Sequence, residues 1–278
     1  MLNIGQINTL TVLRFTSVGA YLGDEEDNDV LLPNKYLTHN LKEGDTIDVF
    51  IYNDSEDRVI ATTLRPKILL DQFGYLRVKM VTKFGAFLDW GLEKDLLVPF
   101  KEQTTKMEEG GTYLIFLYLD DQTNRLVGTA RIKREFLTEV EDLEVGDKVE
   151  LLVCDETDLG RNLIVNQLYS GLVYHNDIVR KIRKGETTTG YIANIREDGK
   201  LDVTLEPAGY VKVEPNSDKI MSKILENGGR LNITDKTPPE VIKEELGMSK
   251  KTFKKALGLL YKSRKVEIYP TYIEEVKN

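Results

Sequence analysis

Lys83, Phe84 and Phe87 stand around Gly85-Ala86, and downstream Asp121 precedes Arg125 by four residues. Paired aromatic rings with a cation nearby can form a stacking platform on which an unpaired base lies while the cation takes the adjoining phosphate. Stacking contributes about 1–3 kcal/mol per base and exceeds a typical exposed ion pair, so the rings would dominate such a site. Strict strand alternation separates Phe84 from Phe87. A glycine between them allows a bend or bulge that turns both outward. On this reading Lys83 and Arg125 take a phosphate or stack on a base, and Asp121 orients the guanidinium. The alternative is that both phenylalanines are core residues of a strand.

A second concentration of chemistry lies near the end of the chain. Between Glu245 and Glu267 every charge is positive: Lys250, Lys251, Lys254, Lys255, Lys262, Arg264 and Lys265. Lysines on one helix can face phosphates, with Lys250, Lys251, Lys254 and Lys255 the first candidates, or they can form a solvated face. Few base-reading Asn, Gln or Arg residues accompany them, so the contact expected is independent of sequence.

Catalytic patterns are missing from the sequence. The two histidines, His39 and His175, lie far apart and outside any metal-binding spacing, and the single cysteine, Cys154, sits in a strand-like apolar run suited to packing. No phosphate-binding Gly-x-x-x-x-Gly-Lys-Ser/Thr loop occurs, and the acidic run Asp24 to Asp29 lacks the calcium-loop pattern. The expectation is a protein without enzymatic activity, metal or cofactor.

The elements that must position these residues emerge from self-comparison. Val18-Gly19-Ala20-Tyr21-Leu22 recurs 66 residues later as Phe84-Gly85-Ala86-Phe87-Leu88. Asp29-Val30-Leu31-Leu32-Pro33 recurs as Asp95-Leu96-Leu97-Val98-Pro99, Gly44 as Gly110 and, past one insertion, Arg58-Val59-Ile60-Ala61-Thr62 as Arg125-Leu126-Val127-Gly128-Thr129. A weaker third copy, offset by 141, pairs Gly5 with Gly146, Gly19 with Gly160, Pro33 with Tyr174 and Gly44 with Gly185. Period-two patterning predicts five strands in the first copy, near Gln6 to Phe15, Gly19 to Leu22, Val30 to Pro33, Thr46 to Asn53 and Val59 to Thr63. Five short strands with one longer link fit a small closed barrel of the oligonucleotide-binding type.

Beyond Pro207, Gly209 and Pro215 the spacing turns helical. Ile220, Ile224 and Leu225 mark one helix, and Pro238-Pro239 opens a second that ends at Gly247. Ser249 caps a third with Phe253, Ala256, Leu257, Leu260 and Tyr261 on one face. Val266 to Tyr269 and Tyr272 to Val276 read as closing strands, which completes an α+β winged-helix domain. The whole is then a mainly β multidomain chain. Its parts are three tandem five-stranded oligonucleotide-binding barrels, at 1–67, 68–142 and 143–212, and a winged helix at 213–278.

Charge follows this division. The chain carries 38 Lys and Arg against 46 Asp and Glu, a net charge of −8, yet residues 213–278 hold 13 basic and 10 acidic residues. The acidic total argues against bulk attraction to nucleic acid or anionic membrane, and only the last module is basic. With one cysteine, no basic and apolar leader and no apolar run of membrane length, a soluble cytoplasmic protein is expected.

The second copy resembles the S1-type RNA-binding domain of ribosomal protein S1, whose Phe-Gly-Ala-Phe-Val run stands here as Phe84-Gly85-Ala86-Phe87-Leu88. The resemblance implies a binding face of Phe84, Phe87, Asp121 and Arg125, with Pro99 where that family usually has histidine. In the first copy it implies Tyr21 and Arg58, with Val18 in place of one ring. In the third it implies Tyr174 and Lys200, with Leu159 and Asn162 at the aromatic positions. The domain order and the stretch Lys250-Lys251-Thr252-Phe253-Lys254-Lys255-Ala256 resemble the conserved virulence factor B, or YitL-like, family. That resemblance implies an RNA-binding regulator of gene expression. Its partner would be single-stranded RNA; the alternatives are DNA bound through the winged helix, or a scaffold docking on the ribosome or RNA polymerase.

Overall fold

Three strands carry apolar runs that break strict alternation, and these runs hold the N-terminal part of the molecule together. In the computed structural model, which describes residues 2–24, 28–38, 40–132, 137, 140–178, 180–207 and 215–276, the chain forms two compact units, Met1–Glu206 and Pro207–Asn278. The first unit contains β1 (Ile7–Thr16), β2 (Gly19–Gly23), β3 (Asp29–Pro33), β4 (Thr46–Asn53) and β5 (Val59–Thr62), closed into a barrel in the order β1-β2-β3-β5-β4. The same succession returns as β6 (Phe73–Thr82), β7 (Gly85–Asp89), β8 (Leu96–Pro99), β9 (Thr112–Asp120) and β10 (Arg125–Thr129), a five-stranded sheet in the order β10-β9-β6-β7-β8. Its two edges lie side by side, because a side chain added at Gly128 of β10 would meet Val98 and Leu96 of β8. A third set, β11 (Lys148–Glu156), β12 (Gly160–Val165), β13 (Tyr169–Tyr174), β14 (Thr187–Ile195) and β15 (Leu201–Thr204), closes as β11-β12-β13-β15-β14.

The first strand of each set serves two neighbours and kinks as it passes from one to the other. Its register shifts between Val12 and Arg14, between Val78 and Met80, and between Val153 and Glu156. A bulge raises the local twist, which lets a short strand turn a barrel corner. The carbonyls of Val12, Val78 and Val153 accept from the N–H groups of Gly44, Gly110 and Gly185, each 2.8–2.9 Å away. Those glycines have φ of +89°, +80° and +81°, backbone that side chains disfavour.

Both faces of the fourth strand in the first barrel are covered. Val49 and Ile51 point into that barrel's own core, whereas Phe50 and Tyr52 join the core around Leu76, Leu88, Trp90 and Ile115 of the second. Phe50 meets Trp90 edge to face at 5.7 Å. The second and third barrels meet through Phe73 and Phe116 on one side and Leu152, Cys154 and Ile164 on the other. The runs Val49 to Tyr52, Ile115 to Leu117 and Leu151 to Cys154 are therefore continuous because core and neighbour alternate along them.

The C-terminal unit has α1 (Pro215–Glu226), β16 (Arg230–Leu231), α2 (Pro239–Leu246), α3 (Lys250–Lys262), β17 (Val266–Ile268) and β18 (Ile273–Glu275), with a sheet ordered β16-β18-β17. Gly247 ends α2 at φ +60°, and the Ser249 side chain accepts the Thr252 N–H at the start of α3. Phe253, Ala256, Leu257 and Leu260 are buried against Ile220, Ile224 and Ile242. Three sequence expectations change. Leu225 and Tyr261 are exposed, and Arg230–Leu231 adds a short strand to the closing hairpin. Gly209 lies outside the described residues.

Candidate nucleic-acid interface

The turn between the first two strands of each barrel presents one apolar side chain to solvent: Val18, Phe84 and Leu159, exposed by 55%, 63% and 63%. The following glycines, Gly19, Gly85 and Gly160, lie against the next strand; a Cβ there would fall 2.1, 2.3 and 2.0 Å from the carbonyl oxygens of Leu32, Val98 and Val173. Close approach is thus the reason for these glycines, and the expected bend at Gly85 is corrected. The bulge lies on the facing strand β6, Phe84 sits in the turn, and Phe87 reaches the same side by ordinary alternation between buried Ala86 and Leu88.

Phe84 and Phe87 line a cleft of about 540 Å³ together with Trp90, Lys94, Asp95 and Arg125 of the second barrel and Tyr52, Asn53, Ser55 and Asp57 of the first. Lys83 holds its ammonium 5.1 Å from the Phe84 ring centre. Trp90 donates its indole N–H to the Lys94 carbonyl at 2.6 Å, and Lys94 donates to the carbonyls of Asn53 and Asp54 at 2.9 and 2.7 Å. Burial lowers the pKa of that ammonium. Lys94 and Asp57 escaped the sequence reading, since nothing local signals a neighbour contributed by another repeat.

Arg125 is at the cleft, as expected, but its carboxylate partner is Asp57 of the first barrel rather than Asp121. Asp120 organises the turn instead, accepting from the Gln122 N–H and the Thr123 hydroxyl, with a pKa lowered chiefly by the Thr123 bond. The inserted residue accounts for the difference. It follows Asp120, so Asp120 occupies the place of Asp54 in the first barrel. There Asp54 does hold its arginine: Arg58 Nε and Nη2 donate to one carboxylate oxygen at 2.9 and 2.7 Å. Burial works against the Asp54 charge, but the bonds from Arg58 and Glu56 outweigh it and keep the pKa low.

The first barrel's cleft, about 900 Å³, is lined by Val18, Tyr21, Lys35, Arg58 and Lys94 but also by Asp29, Asp54, Glu56 and Glu93. Arg14 lies 4.2 Å over the Tyr21 ring and bonds Asp29, so one face of the ring is already covered. In the third barrel Tyr174 accepts from Arg196, which also donates to Asp202 at 2.5 Å, while Lys200 pairs with Asp198. Arg196, not Lys200, is the cation against Tyr174, because it stands at the strand end where the other barrels have aspartate.

In the C-terminal unit Lys251, Lys254 and Lys255 are exposed on α3, with Lys254 3.7 Å from Asp235. Lys250 differs from the expected phosphate contact: it is half-buried and donates to the Thr237 carbonyl at 2.8 Å. Cys154 is buried, and the exposed His175 contacts the Thr157 carbonyl at 3.1 Å. His39 lies outside the described residues. Among the described residues no group of acidic, histidine or cysteine side chains is placed to hold a metal, and no helix is long and apolar enough to cross a membrane.

The family comparisons match an S1 domain over residues 4–64 and 72–131 and a CvfB-like winged helix domain over residues 218–274. The chain thus carries S1 domains and a CvfB-like winged helix domain, and it is similar over most of its length to proteins named conserved virulence factor B and YitL. Its relatives include the uncharacterized protein YitL of Bacillus subtilis (strain 168), 29% identical over 94% of this chain and 90% of its own length. Conserved virulence factor B of Staphylococcus aureus (strain USA300) is 28% identical over 95% and 91%. Among solved structures, a multidomain protein with nucleic acid binding domains from Streptococcus pneumoniae TIGR4 aligns over 98% of both chains at 24% identity, with a TM-score of 0.42. The third barrel lies outside the S1 matches. Its likeness to the others is carried by strand order, bulge and glycines.

Proposed function

We propose that the protein binds single-stranded RNA without catalysing a reaction, and acts in the cytoplasm as a post-transcriptional regulator of gene expression. The observation that carries this reading is Phe84, a large ring exposed by 63% on an S1 barrel, beside Phe87 and Arg125 at one cleft. An exposed ring is unfavourable in water and gains when a base covers it, and every base offers a face for stacking. Single strands fit because their bases are already unpaired. The first barrel, with its acids and covered tyrosine, contributes less; the third, with Leu159 and Asn162 in place of rings, acts mainly as support.

The basic face of α3 favours a second reading, a regulator that grips duplex DNA through Lys251, Lys254 and Lys255. Competition among single-stranded RNA, single-stranded DNA and duplex DNA over a salt series separates the two. The RNA reading predicts preference for single-stranded RNA with a shallow salt slope, since stacking is insensitive to counterions. Preference for duplex DNA with a steep slope supports the second reading. Binding to none of the three favours a scaffold that docks on the ribosome or RNA polymerase.

A further inference from the structure

Four charged side chains line the Phe84 cleft: Asp57, Lys94, Asp95 and Arg125. Lys94 is committed to the carbonyls of Asn53 and Asp54, and Asp95 to Lys79 at 2.6 Å. Arg125 is held by Asp57, with both side chains about half exposed. Exposed ion pairs are weak, so this one exchanges easily, whereas an arginine–phosphate contact offers two parallel hydrogen bonds. The meeting of the two residues is built in. Phe50 and Trp90 pack across the same junction, and Lys94 ties the end of β4 to the second barrel. Asp57 itself is fixed at the turn by a φ of +62° and by its N–H bond to the Asp54 carbonyl.

We propose that the first barrel completes the binding site of the second: Asp57 holds Arg125 over the cleft and releases it to a phosphate of the bound strand. The inference rests on the single-stranded RNA reading. It makes Asp57 a positioning residue whose carboxylate sets the affinity of a site on another barrel, because the strand must displace it and then tolerate its negative charge. The chemistry recognised is one phosphodiester adjoining a base stacked on Phe84.

The test is a double-mutant cycle on the full chain, read as affinity for a labelled single-stranded oligouridylate. Asparagine suits position 57 because it tolerates positive φ and keeps the side-chain shape. Asp57→Asn is expected to tighten binding about fivefold, the scale of one exposed ion pair, and to have a clearly smaller effect when Arg125→Gln is already present, where only the relief of its negative charge remains. Glu56→Gln, on the same turn but paired with Arg58, is the charge control and changes affinity less than Asp57→Asn does. Equal tightening with and without Arg125, tightening by Glu56→Gln to the same extent, or no effect of Asp57→Asn overturns the proposal. If the unaltered protein does not bind the oligouridylate, the RNA reading fails first, an outcome distinct from a bound strand that ignores Asp57.

Discussion

At the scale of single residues, the roles of Phe84 and Gly85 separate cleanly. Phe84 is exposed and touches little of the core, so Phe84→Ala should lower RNA affinity about tenfold while leaving the melting temperature nearly unchanged. Gly85→Ala should do the reverse. Its Cβ would collide with the Val98 carbonyl at 2.3 Å in backbone of φ +148°, and a loss of about 3 kcal/mol is expected in chemical denaturation. The repeat made Phe84, Phe87 and Arg125 visible in the sequence because their spacing recurs. The partner of Arg125 was hidden, since placing the one-residue insertion before or after Asp120 leaves the alignment equally good and only the turn geometry decides. Arg196 was hidden for a related reason: it stands at the strand end where the other barrels have aspartate, which a search for matching residue types passes over.

Elements were more legible than contacts. The predicted strand Thr46 to Asn53 has the observed bounds and Val30 to Pro33 differs by one residue, because short alternating runs between glycine and aspartate turns leave little freedom. The bulges were not legible; they arise where one strand serves two partners, a tertiary requirement. In α3 the cap and, apart from the exposed Tyr261, the buried face followed the sequence, but Lys250 faces the loop that precedes α2 rather than solvent. The four lysines therefore divide. Lys250→Ala removes the bond to the Thr237 carbonyl and should speed amide hydrogen exchange in α3, whereas Lys251→Ala should leave exchange unchanged. Ser249→Ala removes the N-cap and should cost about 1 kcal/mol, read as faster exchange in the same helix.

Over the whole molecule, the acidic total is an average over N-terminal modules whose acids repel phosphate and a basic C-terminal unit, so weak and salt-sensitive non-specific binding is expected beside local stacking. The barrels of the first unit are joined by shared apolar cores, which the sequence shows only as runs too continuous for a one-sided strand. Phe50→Ala would empty a site between two barrels, and about 3–5 kcal/mol of stability should be lost along with RNA affinity, since the cleft walls come from both. Burial between the second and third barrels pushes the Cys154 thiol up to about 11. The unfolded thiol ionises near 9, so the folded state retains the proton between these values and stability falls as pH rises from 9 to 11. A thermal-unfolding series across that window should show the fall, and Cys154 should resist alkylation until the protein unfolds.

The central claim is that stacking on the second barrel dominates binding. Fluorescence anisotropy with labelled single-stranded RNA, comparing the unaltered chain with Phe84→Ala/Phe87→Ala and with Lys251→Ala/Lys254→Ala/Lys255→Ala, tests it most directly. The account predicts about a hundredfold loss for the phenylalanine pair and a smaller, salt-dependent loss for the lysines. Unchanged affinity in the folded phenylalanine variant would contradict it.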